Sequence, residues 1–329
     1  MNPFSYERAR RVDVAIEALG QTSTAKFLAG GTNLVDLMKN GIERPERIID
    51  INRLPLATIE PLPDGGLRLG ALARNADTAN HPLVRKQYPL LSRAILSGAS
   101  PQLRNLATNG GILMQRTRCP YFMDASALHC NKRAPGSGCG AIDGFNRSHA
   151  ILGASDKCIA THPSDMCVAL TALDAVIHLR GPKGERQIPI AEFHRLPGET
   201  PQVDTNLQRD ELIVSIDLPA SPYASHSHYL KVRDRASYEF ALVSVAAALE
   251  LEEDRIRSAR IVLGGVAHKP WLCKGVEEFL IGKTVDASLF QEASKAAVTG
   301  SKPCQYNAFK VELAKRAVTR ALSIAGGIA

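Results

Sequence analysis

The cysteines constrain this chain most, because most of them fall in one segment without a regular pattern. Of seven cysteines, five lie close together, at Cys119, Cys130, Cys139, Cys158 and Cys167. The surrounding segment, 97–162, is rich in Gly, Ser, Asn and Cys, and a compact domain rarely contains so long an irregular stretch without a functional reason. The N-terminal residues do not have the pattern of an export signal, and clustered cysteines are then typical of metal ligands rather than disulfides. We therefore predict a metal-bound loop.

The spacing of the cysteines excludes two common metal motifs. The gaps are 10 residues from Cys119 to Cys130, 8 from there to Cys139, and 18 more to Cys158. No CxxC occurs, so neither a zinc finger nor a bacterial ferredoxin is matched. We predict these four as the ligands, and the spacing leaves both tetrahedral zinc and a cubane iron–sulfur cluster open, since both need soft anionic ligands. Cys167 falls in a helical pattern and is predicted to be a buried structural thiol.

Two glycine elements indicate a phosphate-containing ligand. In Lys26-Phe-Leu-Ala-Gly-Gly-Thr-Asn-Leu34, an apolar strand runs into a glycine pair, whose backbone N–H groups can converge on a pyrophosphate, and Thr32 and Asn33 add donors. Ala107-Thr-Asn-Gly-Gly-Ile112 repeats this logic. Either element alone is explained equally well by a plain glycine turn. The pair favours a long ligand, such as FAD, held from two sides, although neither GxGxxG nor a Walker A loop is present.

Composition argues against other classes of protein. The net charge is +7 with a pI of about 9.1, but the basic residues are scattered and aromatic residues make up only 5%, which disfavours a nucleic-acid surface. The longest apolar run, 241–249, is too short to span a membrane. The charged N-terminal residues predict no signal peptide, and thus folding in the cytoplasm. No nucleophile or paired-carboxylate pattern is apparent, so we expect the chemistry to be that of a cofactor.

Periodicity predicts three units, at 1–57, 58–222 and 228–329, with a linker-like stretch before the third. The expected elements are a helix at Glu7–Leu19, a strand at Lys26–Ala29, a helix at Leu83–Ala94, a helix from Asp165 to Leu173, a half-buried strand at Val243–Leu251 and an amphipathic helix at Phe309–Ile324.

These residues together resemble a known family. AGGTNL, the Gly110-Gly111 element and HPSDM at 162–166 are similar to the FAD-binding subunits of the xanthine dehydrogenase and aldehyde oxidase family. The resemblance covers nearly the whole chain, including 231–246 and 264–271. TRCPYF, HCNKRAPGSGC and KCIATHPSD look most like the flavin subunit of bacterial three-subunit aldehyde oxidoreductases, which carries a 4Fe-4S cluster.

The resemblance implies an α+β protein and a set of cofactor contacts. Its FAD-binding fold is of the vanillyl-alcohol-oxidase (PCMH) type in two subdomains, the second with a cluster loop at about 115–162, followed by a smaller C-terminal α+β domain of the CO dehydrogenase flavoprotein type. The second glycine element departs from many relatives, which have asparagine at the position of Ile112. The implied FAD contacts are Lys26, Leu28, Ala29, Gly30, Gly31, Thr32, Asn33, Leu34, Ala107, Thr108, Gly110, Gly111, Asp165, Ile213 and Lys231, and the cluster ligands are Cys119, Cys130, Cys139 and Cys158.

The implied function is electron transfer inside a larger oxidoreductase. A partner subunit with the molybdenum cofactor would oxidise an aldehyde, and a 2Fe-2S small subunit would pass electrons to FAD here. The final acceptor is open among oxygen, ferredoxin, NAD and a quinone, and co-export with a signal-bearing partner would place the complex in the periplasm. The alternatives are a flavin subunit of xanthine dehydrogenase or hydroxybenzoyl-CoA reductase type, a free-standing FAD oxidoreductase, and a non-catalytic binding module stapled by zinc.

Overall fold

The structure, a computed structural model, describes residues 1–328 and confirms the α+β class. The first sheet lies near the N-terminus, with the elements β1 Ser5–Arg8, α1 Val12–Gly20, β2 Lys26–Leu28, α2 Leu34–Lys39 and β3 Arg47–Asp50. Its three strands are parallel in the order β1-β3-β2. Ala15, Ile16 and Leu19 of α1 pack with Ile49 in its core.

The prediction of a helix from Glu7 was wrong in its first residues. Glu7 and Arg8 belong to β1, where they pair with Ile49 and Asp50. Their backbone groups complete a parallel ladder, and Arg8 also binds the Asp50 carboxylate at 2.9 Å. These long-range contacts override the helical pattern, which continues only from Val12.

The second sheet is antiparallel, in the order β4-β5-β8-β6-β7. A long segment of helices and loops lies between β5 and β6 in the sequence. Its elements are β4 Ile59–Pro61, β5 Leu67–Gly70, α3 Asn75–Asn80, α4 Pro82–Gln87, α5 Pro89–Ser97, α6 Pro101–Arg104, α7 Asn109–Leu113, α8 Pro120–Met123, α9 Asp165–Ala172, β6 Val176–Gly181, β7 Gly184–Pro189, α10 Ile190–Phe193 and β8 Leu212–Leu218. The predicted helix Leu83–Ala94 is divided into α4 and α5, because Pro89 cannot continue a helix.

The third sheet lies in the C-terminal part and is antiparallel, in the order β12-β11-β10-β9. Its elements are β9 Ser227–Val232, β10 Val243–Glu252, β11 Arg255–Gly264, β12 Trp271–Leu272, α11 Lys274–Leu280, α12 Ala287–Ala296 and α13 Phe309–Ala325. The prediction that β10 is half-buried was wrong. Val245 and Leu249 face the C-terminal helices, whereas Ala246 and Ala248 on the opposite face pack in the core that contains α9.

Helix α9 joins the second unit to the third. All eight of its residues are buried, and Ser164 caps its start by accepting a hydrogen bond from the Cys167 N–H at 3.2 Å. Cys167 is fully buried, as predicted. In the described residues, no helix is long and apolar enough to cross a membrane.

Candidate functional site

The main cavity, of about 600 Å³, lies between the first and second sheets. It brings together residues from both glycine elements and from β8. The predicted FAD contacts that line it are Lys26, Ala29, Gly30, Gly31, Thr32, Asn33, Leu34, Thr108, Gly110, Gly111 and Ile213. Leu28 and Ala107 do not line it but lie beside the turns, and Asp165 and Lys231 lie elsewhere.

The two glycine elements contact each other directly. A Cβ atom on Gly30 would overlap the backbone carbonyl of Leu106, and one on Gly110 would come within 3.1 Å of Ala71. Gly31 has a positive φ of 73°, which other residues rarely adopt. The glycines therefore allow the two turns to meet and leave their backbone facing the cavity.

The first turn is held by groups from distant parts of the chain. Asn52 donates a hydrogen bond from Nδ2 to the Ala29 carbonyl at 2.9 Å. The Arg116 N–H donates to Asn33 Oδ1 at 3.1 Å, which fixes that amide, and Asn33 Nδ2 is buried without a partner in the described structure. A donor held in this way, in a cavity wall, fits a polar ligand such as a phosphate.

The arginines that follow the second glycine element tie the two sheets together. Arg116 contacts Glu43 of the first unit at 2.7 Å and Asp204 of the second at 2.8 Å. Arg118 binds Asp36 on α2. The position of the cavity walls therefore depends on charge pairs between residues far apart in sequence, which no motif indicates.

Three histidines line the same cavity and were not predicted. Each has a buried ring nitrogen without a partner among the described residues: His162 Nε2, His194 Nδ1 and His268 Nε2. His194 Nε2 lies 2.9 Å from the Leu113 carbonyl and His268 Nδ1 lies 2.9 Å from the Arg195 carbonyl, so these nitrogens carry the protons. The free nitrogens of His194 and His268 are thus acceptors, and they complement the donors of the glycine turns.

Burial of these histidines predicts acid lability. Burial lowers the pKa of His194 and of His268 to about 4, and lowers that of His162 well below its usual range. Between about pH 6.5 and 4 the unfolded chain then binds more protons than the folded chain, so stability falls as the pH falls. We expect a loss of up to about 3 kcal/mol for each of His194 and His268, measured as the free energy of unfolding across this range. His194→Asn should flatten the dependence, and an unchanged slope would contradict the assignment.

A second cavity, of about 550 Å³, adjoins the first at Thr161 and His162. Asp165 and Cys119 line it. Lys231, another predicted contact, lies next to Asp165, with its Nζ 2.7 Å from Asp165 Oδ2. Tyr229 donates to the other carboxylate oxygen at 2.7 Å. This buried pair links α9 to β9, and its predicted role towards FAD stays a prediction.

The four predicted cysteine ligands lie near one another, and Cys119 lines the second cavity. Cys130 and Cys139 face each other in an antiparallel bridge. A hydrogen bond from the Cys158 thiol lowers the pKa of Cys139 to about 6 and raises the pKa of Cys158. Burial raises the pKa of Cys119 to about 12, and Cys130 and Cys139 add to this effect. The irregular segment therefore folds around a group of thiols.

One backbone N–H group points at these thiols. Ala160 donates to Cys158 Sγ at 3.4 Å. Nearby backbone amides also act to lower the pKa of Cys139 and of Cys119, although the N–H groups of Ile142 and Phe122 donate to the carbonyls of these cysteines and not to their sulfurs. Such donors stabilise anionic sulfur, as a bound metal or cluster requires.

The distances between the sulfur atoms bear on whether the four thiols would bind a single zinc ion or a larger cluster. A tetrahedral zinc ion with Zn–S bonds of about 2.3 Å would place its sulfur ligands about 3.8 Å apart. Within residues 1–328, no three of the four predicted thiols all lie within 4.8 Å of one another. The group is thus wider than a zinc site, which favours a larger cluster.

Two protein families match this chain, and together they cover nearly all of it. Residues 2–221 match the family described as the FAD binding domain in molybdopterin dehydrogenase, and residues 228–325 match the CO dehydrogenase flavoprotein C-terminal domain. The solved carbon monoxide dehydrogenase of Hydrogenophaga pseudoflava superposes with a TM-score of 0.78 at 27% identity, covering 99% of this chain and 98% of that one.

The curated relatives extend this likeness to sequence. The aldehyde oxidoreductase FAD-binding subunit PaoB of Escherichia coli strain K12 is 50% identical over 327 residues, which is 98% of each chain. The glyceraldehyde dehydrogenase medium chain of Sulfolobus acidocaldarius is 29% identical, over 92% of this chain and 90% of that protein. The chain therefore belongs to the family of FAD-binding subunits of the xanthine dehydrogenase and aldehyde oxidoreductase enzymes.

Proposed function

We propose that this chain is the FAD- and 4Fe-4S-binding electron-transfer subunit of a molybdenum-containing aldehyde oxidoreductase. The observation that carries the proposal is the main cavity, where two glycine turns from separate units meet and expose backbone and amide donors. The 50% sequence identity with an aldehyde oxidoreductase subunit, over nearly the full length of both chains, supports an aldehyde as the substrate of the complex.

In this proposal, the glycine turns and Asn33 hold the pyrophosphate of FAD. Thr32 and Thr108 lie beside them in the wall and supply hydroxyl groups. FAD is long, and the contact between the two cavities at His162 offers room for it to continue towards Asp165. Bound FAD would supply two-electron redox chemistry that no side chain of this protein supplies.

The cysteine loop holds the 4Fe-4S cluster through Cys119, Cys130, Cys139 and Cys158. The wide spacing of the thiols supports a cluster over zinc. The Ala160 N–H directed at Cys158 Sγ would stabilise the ligating thiolate. Ligation would also order a segment that contains little helix or strand. Because Cys119 lines the second cavity, the cluster would lie beside the FAD site.

The substrate itself would react elsewhere. A partner subunit with the molybdenum cofactor would oxidise the aldehyde, and a 2Fe-2S subunit would deliver the electrons to this chain. We propose that FAD then passes them to an external acceptor.

Anaerobic reduction of the flavin in the intact complex tests this function. We expect an aromatic or aliphatic aldehyde to bleach the flavin absorption within turnover time, and hypoxanthine to leave it unchanged. Bleaching by hypoxanthine, with no response to aldehydes, would instead assign the chain to a xanthine dehydrogenase complex. Omitting the molybdenum subunit is the control, since it should abolish the response to aldehyde.

A further inference from the structure

A buried histidine contacts one of the four cysteines. His149 Nε2 lies 3.1 Å from Cys119 Sγ. His149 is buried, with only 2% of its surface exposed. Its other ring nitrogen, Nδ1, is buried and has no hydrogen-bond partner in the described part of the chain. The polar contact of this ring is therefore directed at the sulfur.

The backbone of His149 is fixed from the C-terminal domain. Its carbonyl accepts hydrogen bonds from Lys310 Nζ at 2.8 Å and from Asn307 Nδ2 at 3.3 Å. Lys310 is fully buried and also donates to the Gly265 carbonyl at 2.6 Å. On the other side, the His149 N–H donates to the Asn146 carbonyl at 3.0 Å. These bonds hold the ring against Cys119.

We propose that His149 donates a hydrogen bond from Nε2 to the Cys119 thiolate and thereby raises the reduction potential of the cluster; this rests on the cluster of the proposed function. Ligation removes the thiol proton, so the ring is the only possible donor in this contact. Reduction adds negative charge to the cluster and its sulfurs, and an N–H donor stabilises the reduced state more than the oxidised state. His149 is therefore a positioning residue for the cluster, not a ligand.

The test is an EPR-monitored redox titration of the intact complex with His149→Leu and His149→Gln. Leucine removes the donor, and we expect a lower midpoint potential with the iron content of the chain retained. Glutamine keeps an N–H donor, and we expect it to restore the potential towards that of the unchanged protein. His178→Leu, in the second sheet, is the matched control and should leave the potential unchanged.

The outcomes separate this inference from the proposed function. Absence of cluster iron from this chain in the unchanged protein would contradict the proposed function. Iron present in all variants with an unchanged potential in His149→Leu would overturn the role of His149. If leucine destabilises the cluster, His149→Gln decides: a retained cluster with near-normal potential supports the hydrogen bond, whereas loss of iron from the glutamine variant overturns it.

Discussion

Gly30→Ala is expected to weaken FAD binding by about a hundredfold, which corresponds to about 2.7 kcal/mol. The new Cβ atom would overlap the Leu106 carbonyl, which is part of the backbone and cannot rotate away. The two glycine turns would have to separate, and the donors that face the cavity would no longer converge on one phosphate. The measurement is flavin content of the purified protein and affinity of the flavin-free protein for FAD.

Gly20→Ala is the matched control for this variant. Gly20 ends α1, and a Cβ atom there would meet no atom within 4 Å. Alanine also favours a helix over glycine by up to about 1 kcal/mol, so the control should fold at least as well. Circular dichroism and cluster content show whether Gly30→Ala remains folded. Normal FAD affinity in a folded Gly30→Ala protein would contradict the proposed cradle.

Cys130→Ser is expected to lose the cluster almost completely while FAD remains. A serine hydroxyl is a harder and far less acidic ligand than a thiol, and it is a poor substitute on iron. Cys130 pairs with Cys139 and packs against Leu37 and Phe122, but it does not line the main cavity. The two cofactor sites are therefore separable, and iron and flavin analysis of the same preparation measures both.

Cys273→Ser provides the comparison for the cysteine variant. Cys273 is buried in the C-terminal core, far along the chain from the cysteine loop. The Cys273→Ser protein should retain both iron and FAD. We expect it to be somewhat less stable, because a hydroxyl replaces a thiol in an apolar site. Loss of FAD together with iron in Cys130→Ser would show that the cluster loop and the FAD cavity depend on each other.

The site could be predicted from the sequence only where one short segment contains the signal. The strand that enters Gly30-Gly31 and the repeated glycine element were visible, and the structure places both on one cavity. The contact between Gly30 and Leu106 was not visible, because it joins segments about 75 residues apart. His194 comes from a segment without a motif, and the resemblance at 264–271 implies no cofactor contact for His268, so only the fold brings both to the cavity wall.

Two errors in the predicted elements have physical causes. Periodicity predicts one helix across Pro89, but proline cannot continue a helix, and a new helix begins at this residue. In β10, alternation of large and small residues looked like one buried face, but Ala246 and Ala248 are small because α9 packs closely over them. Lys310 lies at the start of the amphipathic helix α13 and is nevertheless buried, because its ammonium group donates to three carbonyl groups of distant loops.

The most direct test of the central claim is an absorption spectrum with flavin, iron and zinc analysis of the purified protein in its complex. After subtraction of the iron in partner subunits, we predict FAD bound to this chain, together with the iron of one 4Fe-4S cluster. The Cys130→Ser complex, measured in parallel, should lack only the cluster iron. Zinc bound to the cysteine loop, with no flavin on this chain, would contradict the account.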